Sequence, residues 1–261
     1  MTESANETLW NTFRSEAQAL SDKEPVLRPF LARLFPDGGT FKRMLPARLA
    51  DLLQTPGVNV EELTELFSDV IASAPDIAIA AVADLQAVKR RDPACPTYLH
   101  AVLNLKGYQA LQAHRLAHNV WVNGRKEIAS FISNRASVVL GADIHPAAQT
   151  GVGIMLDHGS GIVIGETTVI GANVSILQNV TLGGTGKVSG DRHPKIRRGV
   201  MIGAGANVLG NVEIGECSKV AAGSVVLQSV PPNCTVAGVP AKVVRMHDPS
   251  ECPATLMEQR V

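Results

Sequence analysis

No tryptophan, tyrosine or phenylalanine follows Phe131 in this chain of 261 residues, although ten aromatic side chains precede or occupy that position. Formal net charge is zero, which leaves no electrostatic case for nucleic acid or an anionic membrane as partner. No apolar run approaches a membrane span: Ile77 to Ala83 is cut off by Asp76 and Asp84. The opening Met-Thr-Glu-Ser-Ala-Asn-Glu is acidic and polar, unlike a signal or transit peptide. Cys95, Cys217, Cys234 and Cys252 lie far apart with no C-x-x-C pair. Neither a disulfide framework nor a cysteine zinc site is therefore expected, and the chain reads as cytoplasmic.

What is present is a period of six. Ile164, Ile170, Ile176 and Leu182 form one run, and Ile196, Ile202, Val208, Ile214, Val220 and Val226 a second. Four residues after these stand small or β-branched residues: Thr168, Val174, Val180, then Val200, Ala206, Val212, Ser218, Ser224, Val230. Six fits neither an amphipathic helix nor an alternating strand. It fits a chain that turns a corner every six residues and stacks on itself, a parallel β-helix of hexapeptides. Three faces make a coil of about eighteen residues, with coils stacked at the strand spacing of roughly 4.8 Å. The interior of such a coil is narrow, which accounts for Ile, Val and Ala in place of rings. The phase is imperfect early: Thr150 is polar, and the register slips by two at Ile164. Between Leu182 and Ile196 the period breaks, so Gly183 to Lys195 leaves the prism as a loop.

The first part of the chain reads helical. Asn6 or Thr8 is placed to cap a helix through Leu20, and Ile71 to Lys89 and Tyr98 to Trp121 carry apolar residues three and four apart. Pro25, Pro36, Pro46, Pro56, Pro75, Pro93 and Pro96 punctuate these segments. The expected organisation is α+β. An all-α domain at 1–138 is followed by a β-helix at 139–245 and a flexible tail at 246–261. The helices cover one open end of the prism, and Val236 to Val244 closes the other.

Three histidines of the repeat region, His145, His158 and His193, lie near departures from regularity. Asp143 stands fifteen residues before His158, close to one coil, and is expected beside it on the neighbouring rung. An Asp–His pair fixes the imidazole tautomer and makes it a general base near neutral pH; alternatively His158 is structural, bonding a backbone carbonyl. Three such histidines could instead bind zinc between subunits. The glycine-rich, basic loop 183–195 fails the P-loop pattern, with Thr181 at the first glycine position and Val188 after Lys187. Its Arg192 and His193 could grip a carboxylate, or be solvated. The charge cluster Lys89-Arg-Arg-Asp92 reads as a solvated helix end. Lys219 and Lys242 sit among small residues of the late coils, exposed or able to meet phosphates.

Together these pieces resemble the serine acetyltransferases, a family of hexapeptide-repeat acyltransferases. The stretches that carry the resemblance are Asp84-Leu-Gln-Ala-Val-Lys-Arg-Arg-Asp-Pro93, Leu105-Lys-Gly-Tyr-Gln-Ala-Leu-Gln-Ala-His-Arg115, Asp143-Ile-His-Pro-Ala-Ala148, Gly153-Ile-Met-Leu-Asp-His158, Thr181-Leu-Gly-Gly-Thr-Gly-Lys187 and Gly190-Asp-Arg-His-Pro-Lys-Ile196. The resemblance implies a left-handed β-helix. It implies acetyl transfer from acetyl-CoA to the hydroxyl of L-serine, the first step of cysteine synthesis from serine, without a metal. His158 is then the base and Asp143 its orienting partner. Asp92, from the helical domain, and Asp157 take the substrate ammonium; Arg192 and His193 take its carboxylate. A backbone N–H near Gly184 is the oxyanion donor. The pantetheine arm lies near Gly184, Thr185, Ala204, Lys219 and Ala222, with Lys242 toward the phosphates. The family further implies a trimer with active sites between prisms, two trimers pairing through their helices, and inhibition by L-cysteine. Relatives often end in a peptide with terminal Ile that enters O-acetylserine sulfhydrylase; here the tail is short and ends at Val261.

Three rivals remain at this point. One is a hexapeptide acetyltransferase for a sugar, an antibiotic or homoserine, against which Asp92 and Arg192 supply the opposite charges an amino acid needs. The others are a zinc hydratase using His145, His158 and His193, and an idle scaffold that only binds the sulfhydrylase.

Overall fold

The computed structural model describes residues 3–36, 38–186, 189–248 and 252–258. Lys187, Val188 and Val261, named above, lie outside the described residues. Among the described residues eight α-helices come first, with a 3-10 turn at Pro25–Leu27 between the first two: α1 (Glu3–Lys23), α2 (Arg28–Leu34), α3 (Phe41–Leu53), α4 (Val60–Ser73), α5 (Asp76–Arg91), α6 (Tyr98–Asn104), α7 (Lys106–Val122) and α8 (Lys126–Leu140). Helix α1 already begins at Glu3, upstream of the expected caps. The two long apolar stretches each divide, at Ala74–Pro75 and at Leu105, because apolar spacing continues across a bend that capping residues interrupt. Asn59 accepts from the Glu61 N–H at 2.7 Å to start α4, and Thr97 accepts from the His100 N–H at 3.0 Å to start α6. Pro46 does not punctuate; it is buried inside α3. Lys42, whose carbonyl loses a helical partner there, is exposed. Phe13 packs against Phe35, Phe41 and Tyr98 at the centre of this half.

Gly141, in the left-handed conformation at φ 80°, ends α8, and the coils start one residue later. The result is a parallel β-solenoid of about five turns with three faces. The first face stacks β1 (Ala142–Ile144), β4 (Ile162–Ile164), β7 (Thr181–Gly183), β10 (Asn207–Leu209) and β13 (Val225–Val226). The second stacks β2 (Gln149–Thr150), β5 (Val169–Ile170), β8 (Lys195–Ile196) and β11 (Glu213–Ile214). The third stacks β3 (Met155–Leu156), β6 (Ser175–Ile176), β9 (Met201–Ile202), β12 (Lys219–Val220) and β14 (Cys234–Gly238), and ends in antiparallel β15 (Ala241–Met246).

The six-residue period is the vertical stacking of these faces. Ile164, Leu182, Val208 and Val226 lie in register on the first face, Ile170, Ile196 and Ile214 on the second, and Ile176, Ile202 and Val220 on the third. Each is at most 2% exposed, and burial of each such side chain is worth roughly 1.5–3 kcal/mol. Registers also explain the irregularities. Ala142 pairs with Ile162, Val163 with Thr181, Thr181 with Asn207 and Asn207 with Val225. The first coil thus has twenty residues, the coil with the loop twenty-six, the other steps of the first face eighteen, and the last step of the third face, Lys219 to Thr235, sixteen. Thr150 occupies an interior column where the first coil meets the helices, and its Oγ1 accepts from Arg115 Nη1 at 3.3 Å. The helices cover that end, and the β14–β15 hairpin closes the other.

Two departures concern the tail and the cysteines. Cys217 and Cys252 are joined by a disulfide, with Cα atoms 4.8 Å apart. Sequence distance hid the pair, because residues 35 apart are brought together when the chain returns over the prism. The described part of the tail is therefore packed rather than free: a short helix α9 (Pro253–Leu256) lies against Leu177 and Met201 through the fully buried Ala254.

Candidate active site

The third face turns into the first through Asp157 and His158, directly after β3. His158 sits at φ 57°, which swings its ring outward; the side chain is 71% exposed, with Nε2 3.9 Å from Asp157 Oδ2. Two glycines allow this corner to meet the helices. A Cβ on Gly107 of α7 would collide with the Leu156 carbonyl, and one on Gly159 with the Gly107 backbone. Across the same cavity, of about 650 Å³, lies Asp92. It is the C-cap of α5, and its Oδ1 accepts from the Ala94 N–H at 2.8 Å.

An anion at a helix C-terminus is electrostatically unfavourable, and a second carboxylate shares the pocket. Burial pushes the Asp157 carboxyl up; His158 pulls it down and Asp92 raises it further. Two carboxylates facing one partly desolvated pocket are a receptor for a cation.

Asp92 is held by neighbours that the sequence did not single out. Arg91, read as part of a solvated cap, is 4% exposed. Its Nη1 donates to Val174 O (3.3 Å) and Ser175 Oγ (3.1 Å), and its Nη2 to Asn173 Oδ1 (3.4 Å). Seven residues upstream on α5, Asp84 is fully buried. It accepts from Gln112 Nε2 (3.1 Å), Arg115 Nε (2.9 Å) and the Ile154 N–H (2.9 Å), with Arg115 Nη2 at 2.7 Å. Helix α5 is thus pinned to the first coil by Asp84 and to the second by Arg91.

The other polar cluster occupies a different corner, where the first face turns into the second. Glu166 and Thr167 receive the root of the long loop. Arg192 Nη2 donates to Glu166 Oε2 at 2.9 Å, and Thr167 Oγ1 accepts from the N–H groups of Arg192 (3.0 Å) and His193 (3.1 Å). The Thr167 N–H donates to His193 Nδ1 at 3.2 Å. In neutral His193 the proton therefore sits on Nε2, which makes that atom a donor. Burial lowers the His193 pKa, and Arg192 lowers it further. The His193 ring lies on Gly165, where a Cβ would overlap it. His145 is at the same corner; its Nδ1 accepts from the Ala147 N–H at 3.1 Å, and burial lowers its pKa too.

Within one chain, then, Asp92, Asp157 and His158 converge, and Arg192 and His193 form a separate group. Asp143 does not stand beside His158. It is exposed in the middle of β1, opposite Val163, five positions further along the coil than His158. The first coil has twenty residues, so a separation of fifteen falls short of one full turn. The three histidines do not converge in one chain either, and no group of three or more His, Cys, Asp or Glu among the described residues is placed to hold a metal.

The cofactor candidates divide similarly. Gly184 and Thr185 belong to the loop corner; Ala204 and Ala222 are one rung apart on the His158 corner, where the Gly223 N–H donates to Ala204 O at 2.8 Å. Lys242 is exposed on β15, opposite Ala237. Lys219 is neither exposed nor open to a phosphate. It is 3% exposed and its Nζ donates to Glu258 O at 3.0 Å, because the tail lies over it. Glu166 and Thr167 were missed, although each lies one twenty-six-residue coil before Arg192 and His193; counting the loop into the coil would have paired them.

Residues 9–113 match the model for "Serine acetyltransferase, N-terminal", and residues 193–228 that for "Bacterial transferase hexapeptide (six repeats)". The serine acetyltransferase of Escherichia coli strain K12 is 49% identical over 253 residues, covering 97% of this chain and 92% of its own. The chain belongs to the serine acetyltransferase family. It is an acyltransferase. Among solved structures, a Brucella abortus serine acetyltransferase in complex with coenzyme A has a TM-score of 0.90 at 47% identity, covering 92% of this chain and 96% of that one. A soybean serine acetyltransferase complexed with serine has a TM-score of 0.90 at 48% identity, covering 92% and 98%. A serine acetyltransferase in complex with cysteine has a TM-score of 0.95 at 46% identity, covering 98% and 99%.

Proposed function

We propose that this enzyme transfers acetyl from acetyl-CoA to the hydroxyl of L-serine, with His158 as general base. The observation that carries the reading is the pocket of Asp92, Asp157 and His158: paired carboxylates for an ammonium, beside an exposed imidazole. Complexes of relatives with serine and with coenzyme A support it. His158 takes the hydroxyl proton as serine oxygen attacks the thioester carbonyl. The N–H near Gly184, which lies on the loop corner with Arg192 and so comes from the adjacent prism, stabilises the oxyanion. Collapse expels the CoA thiolate, which recovers the proton from His158. A positioned base of this kind is worth about 10²–10⁴-fold.

Arg192, His193 and Asp143 complete the site from the adjacent prism of a trimer, and helical domains pair trimers into hexamers. Support comes from the two polar groups lying on different corners of one chain, each half of what a zwitterion needs. Asp143 of the neighbour would then orient His158. L-cysteine keeps the amino and carboxylate groups of serine and would compete as a feedback inhibitor, consistent with a relative's complex with cysteine. A tail contact with O-acetylserine sulfhydrylase rests on family resemblance alone.

The test measures serine-dependent thioester cleavage by wild type, His158→Ala, Arg192→Ala and a mixture of the two variants reassembled after dissociation. Each variant alone should lose at least a hundredfold in kcat/KM. The mixture should regain about a quarter of wild-type activity, since one interface in four then combines an intact His158 with an intact Arg192. No serine-dependent cleavage by wild type refutes the substrate; no recovery in the mixture refutes the shared site.

A further inference from the structure

The tail is fastened where it crosses the third face. Cys217 ends the corner two residues before Lys219, and its partner Cys252 starts the last described segment. Gly199 lies under the bridge, where a Cβ would meet both sulfurs. From there α9 runs across the strands. Ala254 is fully buried against Leu177 and Met201, and its carbonyl accepts from Ser175 Oγ at 2.9 Å. Ala204 packs at the edge of the same cluster. Leu256 and Met257 then reach the cavity that holds Asp92, Asp157 and His158. Met257, at φ 52°, turns the chain, and the Glu258 carbonyl receives Lys219 Nζ.

We propose that Cys217 and Cys252 form a redox-operated clamp that holds the tail in the groove needed by the pantetheine arm of acetyl-CoA, so that the oxidised enzyme binds acetyl-CoA weakly. The inference rests on the reading of Ala204, Lys219 and Ala222 as the arm's groove. A four-residue helix has little stability of its own. The bridge supplies what it lacks, by holding the tail at high effective concentration over one surface. In a reducing cytoplasm such a bridge is opened and re-formed rather than permanent.

The oxidant is a low-molecular-weight disulfide. The Cys252 thiolate, on the more exposed side, attacks it and releases one small thiolate. The Cys217 thiolate then attacks the Cys252 sulfur of the mixed disulfide and releases the second. Two protein thiols and one small disulfide become one protein disulfide and two small thiols. Excess dithiothreitol reverses the exchange, and Cys95 and Cys234, both buried, take no part.

The experiment uses the full chain, oxidised with a small disulfide or reduced with dithiothreitol, the reagents then removed. Intact mass counts the bridge as a loss of two hydrogens. Binding of desulfo-coenzyme A, which has no thiol to open the bridge, is measured by calorimetry, and KM for acetyl-CoA from thioester absorbance. Trimming of the tail by carboxypeptidase reports the clamp without any cofactor. The bridged form should bind desulfo-coenzyme A at least tenfold more weakly, show a KM raised by a similar factor, and resist trimming. Cys252→Ser should match the reduced wild type under both treatments. Equal affinities with the bridge verified by mass overturn the proposal, as does a chain that stays dithiol or an oxidant response that survives in Cys252→Ser. If neither form binds desulfo-coenzyme A while trimming still follows the bridge, the groove assignment fails and the clamp stands.

Discussion

Asp84→Ala tests whether one buried carboxylate joins the helical domain to the prism. The native carboxylate is fully buried and receives four donor contacts, two of them from Arg115, itself 8% exposed. Removing one partner of a buried pair costs about 3–5 kcal/mol, because the other charge stays in place without its counterion. The Ile154 N–H and the Gln112 amide also lose their acceptor, at roughly 1–3 kcal/mol for each group that water does not reach. A loss of about 4 kcal/mol or more is therefore expected, or a fall in Tm of roughly 8–16 °C at the 2–4 °C per kcal/mol usual for chains near this size. Urea unfolding followed by tryptophan fluorescence reads the helical half, since Trp10 and Trp121 both lie there. Far-ultraviolet dichroism reads both halves. Replacing both partners, Asp84→Leu with Arg115→Met, removes the stranded charge and should recover part of the loss. Recovery stays incomplete because Arg115 also donates to Gly151 O at 2.6 Å. A single-variant cost below about 1 kcal/mol, or a double variant as unstable as the sum of the singles, would refute the reasoning.

Gly107→Ala places a methyl against the Leu156 carbonyl, so α7 and β3 must part at a cost of about 1–3 kcal/mol. Because that joint carries the Asp157–His158 corner, KM for serine should rise more steeply than stability falls, as steady-state kinetics beside thermal melts will show. His114 is buried, and its pKa is lowered to about 3 by burial first, then by His118 and Arg115. The unfolded chain then binds one more proton than the folded chain between about pH 3 and 6.5, so the stability this group permits is full above 6.5 and falls with pH at about 1.4 kcal/mol per unit. His114→Leu should flatten the stability-versus-pH curve by one proton in that window, measured by urea midpoints from pH 4 to 8.

The solenoid was legible because its physics repeats. One narrow interior imposes the same demand at Ile176, Ile202 and Val220, so the pattern appears however the corners are decorated. The loop was legible for the complementary reason, since the period breaks between Leu182 and Ile196, although Gly183 still belongs to β7 and Lys195 already to β8. The candidate site residues were named through the stretches that resemble a family, but their geometry was not legible there. Spacing alone put Asp143 next to His158, and the register separates them by five positions because the first coil has twenty residues. Arg91 was misjudged because a run of three basic residues looks solvated, and nothing in the run says which one is covered by Ser175 and Val174. Cys217 and Cys252 were missed because a bridge between a corner and a returning tail has no sequence period.

A hexapeptide period reports where a residue lies on a face and which rung it occupies; it does not say which corners of different copies meet. That limit is physical. Interior positions answer to one chain's packing, whereas Asp157 and His158 on one corner, faced by Asp92 from α5, and Arg192 and His193 on another answer to a surface. Neither corner alone matches a zwitterion: the first gathers carboxylates, with Asp157 raised by burial and further by Asp92, and the second ties its arginine to Glu166. A chain that keeps its carboxylates and its cation on separate corners carries, on the shared site proposed above, half of an amino-acid site twice over, and on that proposal a second copy makes either half whole.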